Sequence, residues 1–254
     1  MAYKYARTTH AKTLAMRKTS RGDPGGRRQR SDRLADAVYT RVKTDIFDFR
    51  LVPGARFSEN EIARRGRVSR TPVREALLRL EREGYLEVNA KSGWSVRPLD
   101  FQHFEYLYDV RIILELAAVK KLCSADIGDA LTSLKKTWLV AAPRQRLRDW
   151  LQVSRLDEAF HSSIVAAAGN PELARIHNGI TERIRIIRRL DFTQPERIDC
   201  TYDEHAGILR AILARKAQQA ALLLKSHVEQ SKLEVRKISL HRLHVAHQES
   251  RTRN

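Results

Sequence analysis

Val68-Ser69-Arg70-Thr71-Pro72-Val73-Arg74-Glu75-Ala76-Leu77 is the stretch whose reading decides the fold. Ser69 is a good N-cap, and Pro72 falls in the first turn of the helix it opens, where a missing N–H costs nothing. Val73, Ala76, Leu77 and Leu80 recur at i, i+3, i+4 and i+7 and form a buried stripe, with Arg70, Thr71, Arg74 and Arg79 mainly off it. Gly84 supplies the C′ glycine that ends the helix. Upstream, Ser58 and Glu61 fit a capping box, so a shorter helix starts at Glu59 and is broken near Gly66. Downstream, Tyr85–Val88 and Trp94–Arg97 read as two strands joined by the polar loop 89–93. A helix, a tight turn, a second helix and a basic hairpin make a winged helix-turn-helix, which lays its second helix in the DNA major groove. A small helical subdomain that happens to expose arginines is the plainer alternative.

The wording is more specific than the geometry. Leu51-Val52-Pro53-Gly54, Glu61-Ile62-Ala63, the stretch 68–77, Leu80, Glu83-Gly84 and Gly93 closely resemble the DNA-binding domain of the GntR family of bacterial transcription regulators, over roughly residues 31–98. The resemblance implies that Ser69, Arg70, Thr71, Arg74 and the wing tip near Lys91 and Gly93 touch DNA. One departure stands out. The family's usual hydrophobic-then-glycine pair is here Gly66-Arg67, so Arg67 is expected to adopt the left-handed conformation uncommon for a side-chain-bearing residue.

The remaining chain fits this frame. With 254 residues and 42% hydrophobic content it can build two domains with cores. A net charge of +18 points to a polyanionic partner, nucleic acid first and anionic membrane second. No run approaches the about 18–20 apolar residues of a membrane span. Two distant cysteines, Cys123 and Cys200, form neither a disulfide framework nor a thiolate metal cluster, so a cytoplasmic protein is expected. Residues 1–30 hold nine Lys and Arg against Asp23 alone and read as a disordered basic arm that can stroke DNA, solubilise the chain or mimic a transit peptide. Asp23-Pro24-Gly25-Gly26 should break any helix there, and Ser31 should cap the first one, with Leu34, Val38, Val42 and Ile46 on one face.

The predicted fold class is therefore mainly α: a winged helix-turn-helix over residues 31–97, then an all-α antiparallel bundle over 98–240 and a frayed tail over 241–254. Helices are expected at about 100–122, 124–140, 144–168, 171–191, 195–214 and 216–240, with Pro143, Pro171 and Pro195 at helix starts.

Histidines make the second constellation. Asp157 and His161 are i, i+4 neighbours, and His205 and His227 follow on two later helices. One carboxylate and three imidazoles converging in a bundle suit Zn²⁺, Ni²⁺ or a similar ion; singly, each histidine reads as a structural or surface residue. The second half also resembles the all-helical FCD domain that follows the GntR head in one branch of that family. That resemblance implies one divalent metal per protomer on Asp157, His161, His205 and His227, and a small carboxylate effector at or beside it that shifts DNA affinity. Arg111, on an apolar helix face, is a candidate to hold that carboxylate or else to pair with Glu115 at i+4. Arg185, Arg188 and Arg189 are further candidates. His241, His244 and His247 read as an exposed tail, and His10, His103 and His177 carry no constellation. A homodimeric, effector-responsive repressor on a palindromic operator, with no membrane role, is the leading expectation. A helical metallo-hydrolase with a nucleic-acid-binding head and a nonspecific architectural protein are the competitors.

Overall fold

The computed structural model of the protein describes residues 24–89, 93–125, 129–140, 143–237 and 247–248. Lys91, His241 and His244 lie outside them, as does most of the expected basic arm.

The head is built on helix α1, Pro24–Phe47, which buries Val38, Val42 and Ile46. It starts earlier than expected: Pro24 occupies the first position and Ser31 lies inside the helix. Proline is tolerated in a first turn, so the Pro-Gly-Gly run begins this helix instead of preventing it. Helix α2, Glu59–Gly66, opens where the capping pattern places it, with the Ser58 hydroxyl accepting from the Glu61 N–H at 3.2 Å. It closes on Arg67, whose φ of 52° is the left-handed conformation expected of the displaced glycine. Helix α3, Arg70–Arg82, buries Val73, Ala76, Leu77 and Leu80 almost completely. Ser69 sits at its N-cap without a side-chain cap bond.

The wing is a three-stranded antiparallel sheet in the order β1, β3, β2, where β1 is Arg56–Phe57, β2 Leu86–Asn89 and β3 Gly93–Val96. Two residues are too few to show a period, so β1 has no sequence signature. It pairs Arg56 with Ser95 and Phe57 with Trp94, and thereby ties the Val52-Pro53-Gly54 turn to the wing. Gly93 is required where β3 starts. Its φ is +85°, and an added Cβ would sit 2.9 Å from the Phe57 carbonyl oxygen. Gly93→Ala should therefore lower head stability by about 1–3 kcal/mol, read as a drop in melting temperature. An unchanged melt would mean the wing is free to move off β1.

Beyond the wing, six helices form the antiparallel bundle: α4 Phe101–Ser124, α5 Thr132–Trp138, α6 Trp150–Ala167, α7 Pro171–Asp191, α8 Pro195–Leu213 and α9 Ala217–Arg236. Two expected bounds are corrected. The helix predicted over 124–140 is only the seven residues of α5, because Asp129 and Thr132 close a tight turn before it (Thr132 N–H to Asp129 C=O, 3.0 Å). Pro143 opens a single 3₁₀ turn instead of α6. α6 opens instead after Asp149, whose carboxylate accepts from the Gln152 N–H at 2.8 Å as its N-cap. Between them Arg146 is drawn outward to Asp199 and Asp203 on α8. The frayed-tail expectation is corrected at His247 alone, whose Nδ1 contacts the Phe49 carbonyl oxygen of the head at 2.6 Å.

Candidate metal centre and nucleic-acid interface

Three helices present four side chains to one point in the bundle core. α6 brings Asp157 and His161 one turn apart, α8 brings His205 and α9 brings His227; all four are at most 3% exposed. Their donor atoms lie within 4.8 Å of one another. His161 Nε2 and His227 Nε2 are 3.1 Å apart, His205 Nε2 and His227 Nε2 3.3 Å, Asp157 Oδ1 and His205 Nε2 3.3 Å, and Asp157 Oδ1 and His161 Nε2 3.6 Å. Donors held about 2.0–2.2 Å from a shared ion lie about 3.0–3.6 Å from their neighbours at right-angled to tetrahedral bond angles. The set fits a divalent ion.

The outer contacts say which nitrogen faces inward. His161 Nδ1 bonds Glu115 Oε2 at 2.7 Å, and His227 Nδ1 bonds Glu204 Oε2 at 2.6 Å. A carboxylate at Nδ1 keeps the proton there and leaves the Nε2 lone pair aimed at the centre. With both protons held at Nδ1, the two Nε2 lone pairs 3.1 Å apart form an arrangement that a cation between them would satisfy. Burial pushes His205 and His227 well below the usual imidazole range, so both are neutral, as ligands must be. Burial works against ionising Asp157, but Arg188, with His161 and His205, outweighs it and holds the carboxyl well below its usual range. Asp157 thus offers one oxygen inward and pairs the other with Arg188. His205 is placed differently: its ring stacks on Phe160 (centroids 3.7 Å apart, 9° between planes) and meets Trp138 edge-on.

Arg111 makes the intradomain bond weighed against effector binding: its Nε donates to Glu115 Oε1 at 2.5 Å, and the residue is 1% exposed. Glu115 also takes His177 Nε2 at 3.0 Å, which gives His177 a place in the constellation. Sequence spacing offered no sign of this, since His177 sits on α7 without a motif. Arg111 Nη2, Arg188 Nη1 and His205 Nδ1 are buried without a hydrogen-bond partner. Unpaired buried guanidinium N–H groups are costly, and here they leave unused donor capacity next to the Asp157–histidine cluster.

Consecutive residues point opposite ways here. Next to Asp157, Glu158 holds Arg185 through two bonds of 2.8 and 2.6 Å, and that guanidinium lies over the Phe47 ring of the head. Next to Arg188, Arg189 forms a buried ion pair with Asp48 at the end of α1. Glu182, two turns earlier on α7, pairs with Lys43 of α1. One face of α7 therefore contacts the Asp157–histidine cluster through Arg188, and the other pairs with the head through Glu182 and Arg189.

On the head, Ser69, Arg70, Thr71 and Arg74 are all exposed along one side of α3, and Gly93 stands at the start of β3. Arg70 and Arg74 are 68% and 70% exposed at the side chain and share Glu59 of α2, at 3.1 and 3.9 Å. Glu59 escaped the sequence reading because its partners lie across the turn. Arg79 is not on this surface: it stacks on Tyr39 of α1 and pairs with Glu83.

Residues 34–96 match the family of bacterial regulatory proteins, gntR family, and residues 106–230 match the FCD domain. The chain is 33% identical over 177 residues to the Nta operon transcriptional regulator of Aminobacter aminovorans, covering 70% of this chain and 82% of that one. It is 30% identical over 192 residues to the HTH-type transcriptional regulator YdhC of Bacillus subtilis, covering 75% and 84%. In fold it is similar to a GntR regulator of Rhodococcus sp. RHA1, with a TM-score of 0.67 at 24% identity over 83% of this chain and 99% of that one. No helix among the described residues is long and apolar enough to cross a membrane.

Proposed function

The chain belongs to the GntR family of bacterial transcription regulators, in the branch that carries an FCD domain, and from that premise we propose that it is a metal-containing repressor whose operator affinity is set by a small organic acid. As a member of that family it is a DNA-binding transcription regulator and not an enzyme. The observation that carries the finer reading is the convergence of three imidazole nitrogens and one carboxylate oxygen, with unpaired arginine donors beside them.

Asp157, His161, His205 and His227 would hold one divalent ion, and a nitrogen-rich, single-carboxylate set suits Zn²⁺ or Ni²⁺. The bound ion supplies a buried positive charge and a Lewis-acid centre. Arg111 and Arg188 supply N–H groups for the effector's carboxylate, while Glu115 and Glu204 orient the imidazoles. On DNA, Ser69, Arg70, Thr71, Arg74, Lys91 and Gly93 form the contact surface, and two heads of a homodimer read the two halves of a palindromic operator. Repression needs only occupancy of the operator, and no further protein contact.

A carboxylate drawn to Arg188 competes with Asp157 for that guanidinium. The movement passes along α7 to Arg189 and Asp48, and through Glu158 and Arg185 to Phe47. DNA affinity changes because the effector then binds two head arrangements unequally. Arg189→Met should keep metal content at the wild-type level and bring the ratio of operator affinities with and without effector close to one. Operator titrations with and without an acid found by thermal-shift screening measure this; an undiminished ratio removes α7 as the connection. Metal analysis of the purified protein, followed by that screen, tests the function as a whole. A metal-free protein that still binds its operator and ignores every carboxylic acid would overturn it.

A further inference from the structure

Asp157, His161, His205 and His227 are all buried, so an ion that reaches them must cross the wall of the bundle. A cavity of about 390 Å³ between α8 and α9 ends against one of them. Glu196, Cys200 and Glu204 line it from α8, and Glu234, Gln230 and Ser226 line it from α9. Both sets are spaced four residues apart, so each makes a stripe about 12 Å long on one side of its helix. Successive helices of the bundle run in opposite directions. Glu196 and Glu234 therefore share one end of the groove, and Glu204 and Ser226 share the other. At that second end Glu204 Oε2 meets His227 Nδ1 at 2.6 Å. Arg197 lies beside them, bonded to Glu204 at 2.9 Å, to Ser231 at 3.1 Å and to Asp191 at 3.2 Å. His227 is thus the partition: its Nδ1 edge touches groove residues, and its Nε2 faces His161 and His205.

We infer that the α8–α9 groove is the inlet for the divalent cation, with Glu196 and Glu234 at its mouth and the Glu204, Arg197 and His227 contact as its gate. The inference rests on the divalent-ion reading of the Asp157–histidine cluster and adds the way in. Charge selects the occupant. The chain as a whole carries +18, yet the groove is lined by the carboxylates of Asp191, Glu196, Glu204 and Glu234 against the single guanidinium of Arg197. A cleft of one sign with low-dielectric walls concentrates the opposite charge, so this groove draws cations and turns carboxylates away.

The gate has a place for each part to go. Arg197 already bonds Asp191, so it keeps a carboxylate when Glu204 turns to the cation. Rotation of the His227 side chain then opens the partition, and its return restores Nε2 to the cluster. Glu196 and Glu234 touch the cation only in passage. Groups of that kind change the barrier and neither end state, so they alter capture and release by the same factor and leave the dissociation constant unchanged. A residue that merely supports the fold, or that helps to hold the bound ion, has no such signature.

The test uses the full chain stripped of metal by chelator. Ni²⁺ capture is followed by quenching of tryptophan emission, because Trp138 meets His205 edge-on at 4.3 Å, and release is followed in excess EDTA. Glu196→Gln/Glu234→Gln should slow both rates about tenfold at unchanged dissociation constant. Asp36→Asn/Glu172→Gln removes the same charge elsewhere and should leave both rates near wild type. Cys200 gives a second measurement on the unaltered sequence, since it is exposed in the groove while Cys123 is buried. A cationic methanethiosulfonate label on Cys200 should slow capture, and an anionic one should hasten it. Equal rates in the two double variants, equal rates with the two labels, or a dissociation constant that changes as much as the capture rate would overturn the inlet while leaving the ion site intact. A wild-type protein that takes up neither Ni²⁺ nor Zn²⁺ in equilibrium dialysis would bring down both.

Discussion

The double variant His205→Ala/His227→Ala is expected to purify without a bound divalent ion, while the wild type carries close to one per protomer. The ligands come from α6, α8 and α9, so the ion joins helices that otherwise meet chiefly through apolar contacts. Only the folded chain brings the four donors together, and binding therefore adds to stability. With free metal at about a thousand times the dissociation constant, the contribution is about 4 kcal/mol. For a chain of this size that corresponds to roughly 8–16 °C in melting temperature. The cleanest reading is the shift produced by chelator within each protein, because losing the His205 ring from its stack on Phe160 has a packing cost of its own. Wild type should show the full shift and the double variant almost none. Full metal occupancy in the double variant would sink the assignment of these ligands.

Arg70→Ala and Arg74→Ala are each expected to reduce operator affinity by about 1–3 kcal/mol, or roughly 5- to 150-fold, with much smaller losses on scrambled DNA. Both side chains are mostly exposed and lie opposite the Val73, Ala76, Leu77, Leu80 stripe, so the head should melt as the wild type does. Glu59 sharpens the expectation. In the free protein it draws both guanidinium groups to one side of the turn, which fixes their direction before DNA arrives, at the cost of an ion pair that binding must replace. Glu59→Ala should thus change affinity less than either arginine variant. Wild-type affinity for the operator in both arginine variants would remove α3 from the contact surface.

Much of this molecule was legible in its order of residues. The Ser58 cap, the stripe on α3, the proline starts of α7 and α8 and the left-handed Arg67 all follow from neighbours within about four positions, where local sterics and hydrogen bonding decide. The i, i+4 pair Asp157 and His161 is local in the same sense. What the sequence left open lies across larger separations. β1 exists only because β3 is there to pair with it. α6 starts at Asp149 because that carboxylate outweighs a proline six residues earlier, while Arg146 is pulled toward α8. Spacing on α4 left Arg111 between an ion pair with Glu115 and an anion. Packing gives it both the bond and an unpaired N–H, since a guanidinium has more donors than one buried carboxylate can accept. His177 and Glu204 join the buried network around the cluster for the same reason: a buried imidazole nitrogen must find a partner, and only the folded bundle determines which carboxylate is within reach. Period and capping, being short-ranged, specified the elements and the pairing of two of the four clustered residues; the carboxylates around them and the grip of α7 on the head depend on which helices pack together, and that is decided by the tertiary structure.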